Sequence, residues 1–461
     1  MGKPKIRPPS TVDSLAFPVF GLTWHGTPAT PKNDGVSFTA YCGGGGSAKT
    51  GVGNKIVCDL VAQRQQVDQV NEGQADDNDN FHSADNNNNN ISVSRKTIEI
   101  STGEALCFGI HAFRPHDDTL HMIRLVACVG DEILLYGIPI ISSETNHENE
   151  IEGATNNGAI LLAKANVGSG YGANVATYTA MFNVQQNQLQ HLIGVGCENG
   201  HLVVFEIQTN HESSSSSSNS GGNNINKLTK IIECKGHTKA ICAIQFHPRG
   251  HELLSSAKDG TARIFSVATG NELATMKCEV HDPKGPPPPS SAVPDPSKST
   301  IKTKDPRMMK RAPQILVRGC AYGDLEGKTI YTIASGKRGA AYLTKWKALS
   351  SSGSGGGGGG GRTNSVQQQQ QQRTIHQEYR VQCSPVPISA TSLSSDCTIF
   401  ALGSVEGSIL LYNLETKSVL KQFKEVHDLP VTCLASRPIP SALLLPGKPQ
   451  KQFIAIAINC N

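Results

Sequence analysis

One pattern returns along the whole sequence and leaves few folds open to it. An apolar run alternates at period two, a short polar turn with glycine comes next, and a second alternating run ends in an aromatic residue. The clearest copies are Glu198-Asn199-Gly200-His201-Leu202-Val203-Val204-Phe205, Lys258-Asp259-Gly260-Thr261-Ala262-Arg263-Ile264-Phe265 and Val405-Glu406-Gly407-Ser408-Ile409-Leu410-Leu411-Tyr412; weaker copies run from Gly130 to Tyr136 and from Gly339 to Trp346. Alternation at period two marks half-buried strands, and Asn-Gly, Asp-Gly and Glu-Gly pairs give the backbone freedom that a tight hairpin needs. Helical periodicity is nearly absent, so the sequence reads as an all-β repeat protein.

Residues Gly236 to Leu273 carry the unit most fully and resemble a WD-repeat blade. Gly236-His237 opens it, Ile241 to Pro248 gives a first strand and Leu253 to Ala257 a second; Asp259 stands at the turn and Phe265 replaces the usual Trp. A His–Ser–Asp set at these positions is expected to hydrogen-bond the blade's turns together. That structural role is preferred to a hydrolase triad, especially as no Gly-x-Ser-x-Gly elbow accompanies it. At ~40–45 residues per blade, copies start near Phe17, Glu104, Val175, His237, Leu316, Pro387 and Pro430. The expectation is one domain over residues 1–461, a seven-bladed WD-repeat β-propeller with long low-complexity loop insertions. Its last blade is cut short, so a closing strand is missing or comes from the N-terminus.

The insertions explain the composition. Hydrophobic residues make up 37% and charged residues 17%, below the ~45–50% and ~25% of ordinary domains. The deficit falls in an acidic Asn-rich stretch (about 71–90), a Ser/Asn/Gly run (211–224), a Pro/Lys segment (281–313) and a Ser-Gly-Gln tract (350–372). Such compositions bury too little apolar area to offset chain entropy and read as disordered loops. A formal charge of +4 argues against nucleic acid, which calls for a concentrated basic face; the basic segment Lys302 to Arg311 lies inside the Pro-rich insertion. No run approaches the ~18 apolar residues of a membrane span. None of the 13 cysteines forms a Cys-x-x-Cys pair, and Cys107, Cys128, Cys197, Cys242 and Cys433 sit in apolar strand-like runs. They read as small buried hydrophobes in a reducing compartment, with neither a disulfide framework nor a zinc site.

One segment departs from this grammar: Tyr41-Cys42-Gly43-Gly44-Gly45-Gly46-Ser47-Ala48-Lys49-Thr50-Gly51-Val52-Gly53-Asn54-Lys55, framed by the strand-like runs Val36 to Ala40 and Ile56 to Leu60. A phosphate-binding P-loop would need glycine in place of Ala48 and a helix directly after Thr50; a β-run stands there instead. Consecutive glycines before a polar turn can aim several main-chain carbonyls inward. That suits an oxygen-ligated cation or a close backbone approach by a partner. A long flexible hairpin is the plainer alternative.

Gly-Gly-Gly-Gly-x-x-Lys-Thr-Gly-hydrophobic-x-Asn after the first strand of a propeller resembles the guanine nucleotide exchange factor of the COPII coat small GTPase, the prolactin regulatory element-binding protein family. Similarity continues in Tyr342-Leu343-Thr344-Lys345-Trp346, Leu402 to Ser408 and Glu425 to Thr432. The resemblance implies non-enzymatic exchange at the cytosolic face of the endoplasmic reticulum membrane. The loop would press into the GTPase in its GDP-bound and nucleotide-free forms. It further implies a potassium ion held through main-chain carbonyls of the loop, at Gly43, Gly44, Gly45, Gly46, Lys49 and Thr50. Gly51, Val52 and Gly53 would form the tip, and Asn54 would be the polar residue that matters most. Gly53 stands where family members carry a bulkier residue. Family members also have a membrane-spanning helix after the propeller, which this sequence, ending at Asn461, does not contain; membrane attachment would be through that helix alone. The alternative from another class is a non-catalytic WD-repeat scaffold in the early secretory pathway. The histidines His111, His116 and His121 with Asp117 and Asp118 suggest metal by spacing, but Phe113 to Asp118 reads as a solvated turn.

Overall fold

The computed structural model describes residues 17–27, 35–45, 52–65, 91–115, 122–140, 158–183, 187–208, 227–280, 314–349, 373–424, 426, 428–436 and 454–457. All four low-complexity segments lie outside them, as does the sequence from His116 to His121. Among the described residues no helix is long and apolar enough to cross a membrane.

The strands form antiparallel meanders in which each strand pairs with the next. The first blade holds β1 (Val19–Thr27), β2 (Gly35–Gly43), β3 (Asn54–Gln65) and β4 (Ile91–Gly103). The second holds β5 (Cys107–Phe113), β6 (Met122–Val129), β7 (Glu132–Pro139) and β8 (Ile160–Asn166). In the third are β9 (Ala173–Asn183), β10 (Gln188–Cys197), β11 (Leu202–Gln208) and β12 (Lys227–Cys234). The fourth has β13 (Ile241–Phe246), β14 (Glu252–Ala257), β15 (Thr261–Ser266) and β16 (Glu272–Lys277). The fifth has β17 (Ile315–Tyr322), β18 (Thr329–Gly336), β19 (Ala341–Leu349) and β20 (Thr374–Ser384). The sixth has β21 (Ile388–Leu393), β22 (Ile399–Ser404), β23 (Ile409–Asn413) and β24 (Ser418–Phe423).

The described residues therefore make six four-stranded blades, not the seven expected. After the sixth blade the chain forms a two-stranded sheet, β25 (Cys433–Ser436) with β26 (Ile454–Ala457). It sits between the sixth blade and the first, since β25 touches both β21 and β1. Thr432 Oγ1 donates to Val19 O at 2.6 Å, and Ser389 Oγ to Val431 O at 2.7 Å. Among the described residues the N-terminal side lends this sheet no strand: β1 is the innermost strand of its own blade, paired to β2.

The innermost strands contact one another in sequence around the ring, and the core is divided among the interfaces between neighbouring sheets. Phe38, Ile56 and Ile98 of the first blade pack on Leu125, Tyr136 and Ile138 of the second. Leu254 and Ile264 meet Ile330 and Trp346 in the same way between the fourth and fifth. The interfaces flanking β25 are the smallest. Val431 and Leu434 meet Ala390, Ala401 and Ile409 on one side, while Cys433 packs against the Phe17, Val19 and Val57 group on the other.

Alternation places the turns as the sequence suggests. In blades two to six the second strand turns into the third around Gly130, Gly200, Gly260, Gly339 or Gly407, each with φ between 58° and 91°. At Gly200 a Cβ would also lie 2.5 Å from His237 O, so both conformation and space require glycine there. These hairpins share one face with the passages from blade to blade, as the bonds Lys258 N to Ala240 O and Val405 N to Pro387 O show. First-to-second and third-to-fourth connections lie on the opposite face.

Candidate functional site

The glycine-rich segment is the second-to-third-strand hairpin of the first blade. Gly43 ends β2, paired to Val19 of β1 and Lys55 of β3. A Cβ on Gly43 would lie 1.7 Å from Pro18 O, and one on Gly44, at φ +147°, 2.3 Å from Asn54 Oδ1. Side chains are thus excluded by the groups packed against the loop base. Gly44 N donates to Pro18 O at 3.1 Å and Gly45 N to Val52 O at 3.3 Å, closing the base.

Asn54 opens β3 and is 4% exposed. Its Nδ2 donates to Gly103 O at 3.1 Å and to Glu104 O at 3.0 Å, which fastens the loop base to the passage between the first and second blades. Val52 packs against Phe17, Val19 and Val57. Gly53 is exposed, and a Cβ there would meet nothing within 4 Å. Of the residues that the resemblance assigns to the site, Gly43, Gly44, Gly45, Val52 and Asn54 come together at the base, with Gly53 at its exposed edge. Gly46, Lys49, Thr50 and Gly51 lie outside the described residues. Asn54 is an anchor below the tip. Its partners, Gly103 and Glu104, carry no motif that sequence reading could have linked to it.

For the potassium ion, the described donors are main-chain carbonyls of glycines, oxygen chemistry that fits a monovalent cation. For nucleotide phosphates it does not fit: the loop leads into β3, not into a helix.

The His–Ser–Asp set of the fourth blade is assembled as a structural network. His237 Nδ1 bonds Asp259 Oδ2 at 2.9 Å and its Nε2 bonds Ser255 Oγ at 2.9 Å, while Asp259 also accepts from Thr238 N and Thr261 N. Phe265 lies edge-on to the His237 ring. Burial raises the Asp259 carboxyl, but the bonds and charge interaction with His237 and the bonds from Thr261 outweigh it, leaving it well below the usual carboxylate range. The one group of possible metal ligands among the described residues is His247, His251 and Glu252. Its donors are engaged: His247 bonds Glu326 O and Arg249 N, and Glu252 pairs with Arg373. His111 is half-buried in β5, its imidazole pushed down to about 4 by desolvation and by His25.

The family comparison agrees with the repeat seen in the fold. The WD domain, G-beta repeat family matches residues 228–266, the chain from β12 through β15 of the third and fourth blades. No curated protein matches the chain. Among solved structures, Sqt1 of Chaetomium thermophilum bound to the N-terminus of ribosomal protein L10 is similar at 14% identity, covering 91% of this chain and 77% of that one, with a TM-score of 0.48. Saccharomyces cerevisiae Sqt1 is similar at 12% identity over 92% and 79%, with a TM-score of 0.44. Likeness at that level carries no argument about function. The protein is a β-propeller with a WD repeat.

Proposed function

We propose that this propeller is a guanine nucleotide exchange factor for the small GTPase that initiates COPII coat assembly at the endoplasmic reticulum, acting through the glycine loop 43–54. The observation that carries the reading is the loop's construction. It alone among the second-to-third-strand hairpins of the six blades is long, and its base is fixed by Asn54 and by glycines that admit no side chain. A segment held this firmly at its root and free of bulk at its edge can be pushed into a partner without a large ordering cost.

The mechanism is one of linkage. A factor that binds the nucleotide-free GTPase more tightly than the GDP form must weaken GDP binding by the same ratio. No bond is made or broken. Asn54 sets where the tip stands, and Val52 holds the returning limb against Phe17 and Val57. Main-chain carbonyls of Gly43, Gly44, Gly45 and Gly46, with Lys49 and Thr50, would hold a potassium ion, which would supply a fixed positive charge at the loop's centre. The protein would work at the cytosolic face of the endoplasmic reticulum membrane.

The test is release of a fluorescent GDP analogue from the coat GTPase, in potassium and in sodium buffer, with Gly53→Glu beside the parent chain. Gly53 has open space around it, so the substitution leaves stability unchanged while setting a negative charge against any partner that docks there. Exchange that is fast with the parent and lost with Gly53→Glu supports the reading. No acceleration by a folded parent chain would sink it and leave a WD-repeat scaffold.

A further inference from the structure

The axis of the ring holds a site that the glycine loop does not explain. In each of the six blades the innermost strand carries one residue too many for its partner near its start, a β-bulge. The extra residues are Phe20, Phe108, Asn174, Cys242, Arg318 and Ser389; Thr432 takes the matching place before β25. All of them line one axial cavity of about 350 Å³. A bulge turns its extra side chain out of the ladder, and six such turns, with Thr432 beside them, furnish a chamber around the axis.

The ring's polar side chains are mostly engaged in joining the blades. Asn174 Nδ2 donates to Ile241 O at 2.6 Å, Ser389 Oγ to Val431 O and Thr432 Oγ1 to Val19 O. Each reaches the main chain of the next sheet. Phe20 and Phe108 meet each other with ring centroids 5.8 Å apart. Arg318 breaks this order, because it makes no such bond to the next blade among the described residues. Lys258, on the second-to-third-strand turn of the fourth blade, lines the same cavity. Among the described residues these two are its only charged lining residues, both are half-buried cations, and neither meets a carboxylate. The Arg318 side chain reaches back to the thiol of Cys242 in the fourth blade, which lines the same cavity.

Two cations drawn toward one partly desolvated chamber repel each other, and an anion between them relieves both terms. We infer that the axial cavity binds a small anion bearing carboxylate or phosphate groups, held by Arg318 and Lys258. The guanidinium supplies paired donors to two oxygens, and the ammonium a point charge beside them. The Phe20 and Phe108 wall leaves room for an apolar part of the ligand on the other side. This site is independent of the exchange reading and stands or falls without it.

Calorimetric titration of the full chain with citrate and with inorganic phosphate, at ionic strength matched with sodium chloride, tests it. Binding of either anion is expected, and the tighter arm tells carboxylate from phosphate. Arg318→Met should weaken binding by about tenfold, the loss of one charge-assisted hydrogen-bond pair, and Arg318→Met with Lys258→Met should abolish it. Lys345→Met, on the outside of the fifth blade, should bind as the parent does. A second readout needs no variant: a bound anion should slow alkylation of Cys242 by iodoacetamide several-fold. Failure of both anions to bind, binding unchanged in the double variant, or binding that leaves Cys242 equally reactive would each overturn the assignment.

Discussion

Five of the six blades pass from their second to their third strand in two to four residues around a glycine at positive φ, while the first blade takes residues 44–53 for the same turn. Both versions close an antiparallel pair in good register, so the fold itself needs only the short one. Extra loop costs entropy that rises slowly with length, about 0.6 kcal/mol per doubling. The first blade carries that cost and adds to it a buried asparagine and glycines pressed against their neighbours. The difference separates what makes a propeller from what this propeller adds.

The comparison can be broken first where the short hairpins are most constrained. Asp259→Ala removes the acceptor of His237 and of two main-chain amides in the fourth blade, and should destabilise the chain by about 3 kcal/mol in urea unfolding. Exchange per folded molecule should stay unchanged. Gly200→Ala forces a Cβ against His237 O in a left-handed backbone and should cost about 2 kcal/mol by the same measurement. Asn54→Ala strips two bonds from the carbonyls of Gly103 and Glu104 and should cost about 1–2 kcal/mol. Unlike the first two, it should also slow GDP release well beyond the loss of folded protein. A chain in which residues 46–51 are replaced by Asn-Gly, keeping Gly45 and Val52, should unfold no more easily than the parent, and up to about 1 kcal/mol less so, while losing exchange altogether. If it keeps exchange, the long hairpin is not the site.

Acid sharpens the same contrast, with the smallest effect. A carboxyl whose folded pKa lies below its unfolded value contributes stability that is full above the unfolded value, about 3.9 for Asp. That stability is lost as pH falls through the folded value. Asp259 is such a group, and Glu233, held down to about 2 chiefly by its bond from Lys230 and also by Tyr171, is another. The unfolding free energy should therefore be flat above about pH 5 and decline below about pH 4. Asp259→Asn, already less stable, should decline less steeply over that window.

Much of this architecture is legible in the sequence because the repeat is local. The expected blade starts near Phe17, Glu104, Val175, His237, Leu316, Pro387 and Pro430 fall within a few residues of Val19, Cys107, Ala173, Ile241, Ile315, Ile388 and Cys433, where the innermost strands begin. Alternation and turn glycines are written within each unit. The count of complete blades fails because a start does not guarantee an end: after Pro430 the described residues provide β25 and β26 and nothing to lie outside them. The site is half legible. Glycine and asparagine signal a special loop, but the motif alone makes Asn54 its working residue, whereas the structure makes it the anchor. The partners of Asn54 lie at the end of β4 and just beyond, and no local rule connects them. The axial ring is illegible for another reason. Phe20, Phe108, Asn174, Cys242, Arg318 and Ser389 share a place in the pleat and no chemistry, so only the register of each pair reveals them as one set.

The third-to-fourth-strand connections have a practical consequence. In blades one, two, three and five these connections, at 66–90, 140–159, 209–226 and 350–373, are much longer than 267–271 and 414–417 in blades four and six. By the alternation of the meander they all leave from the face opposite the glycine loop and the mouth marked by Lys258. A fluorophore, affinity tag or tether attached where these connections leave the strands, near residue 65 or residue 349, would start on the face away from both candidate sites. The molecule can thus be immobilised or watched by its far side while a GTPase or an anion is offered to the near one.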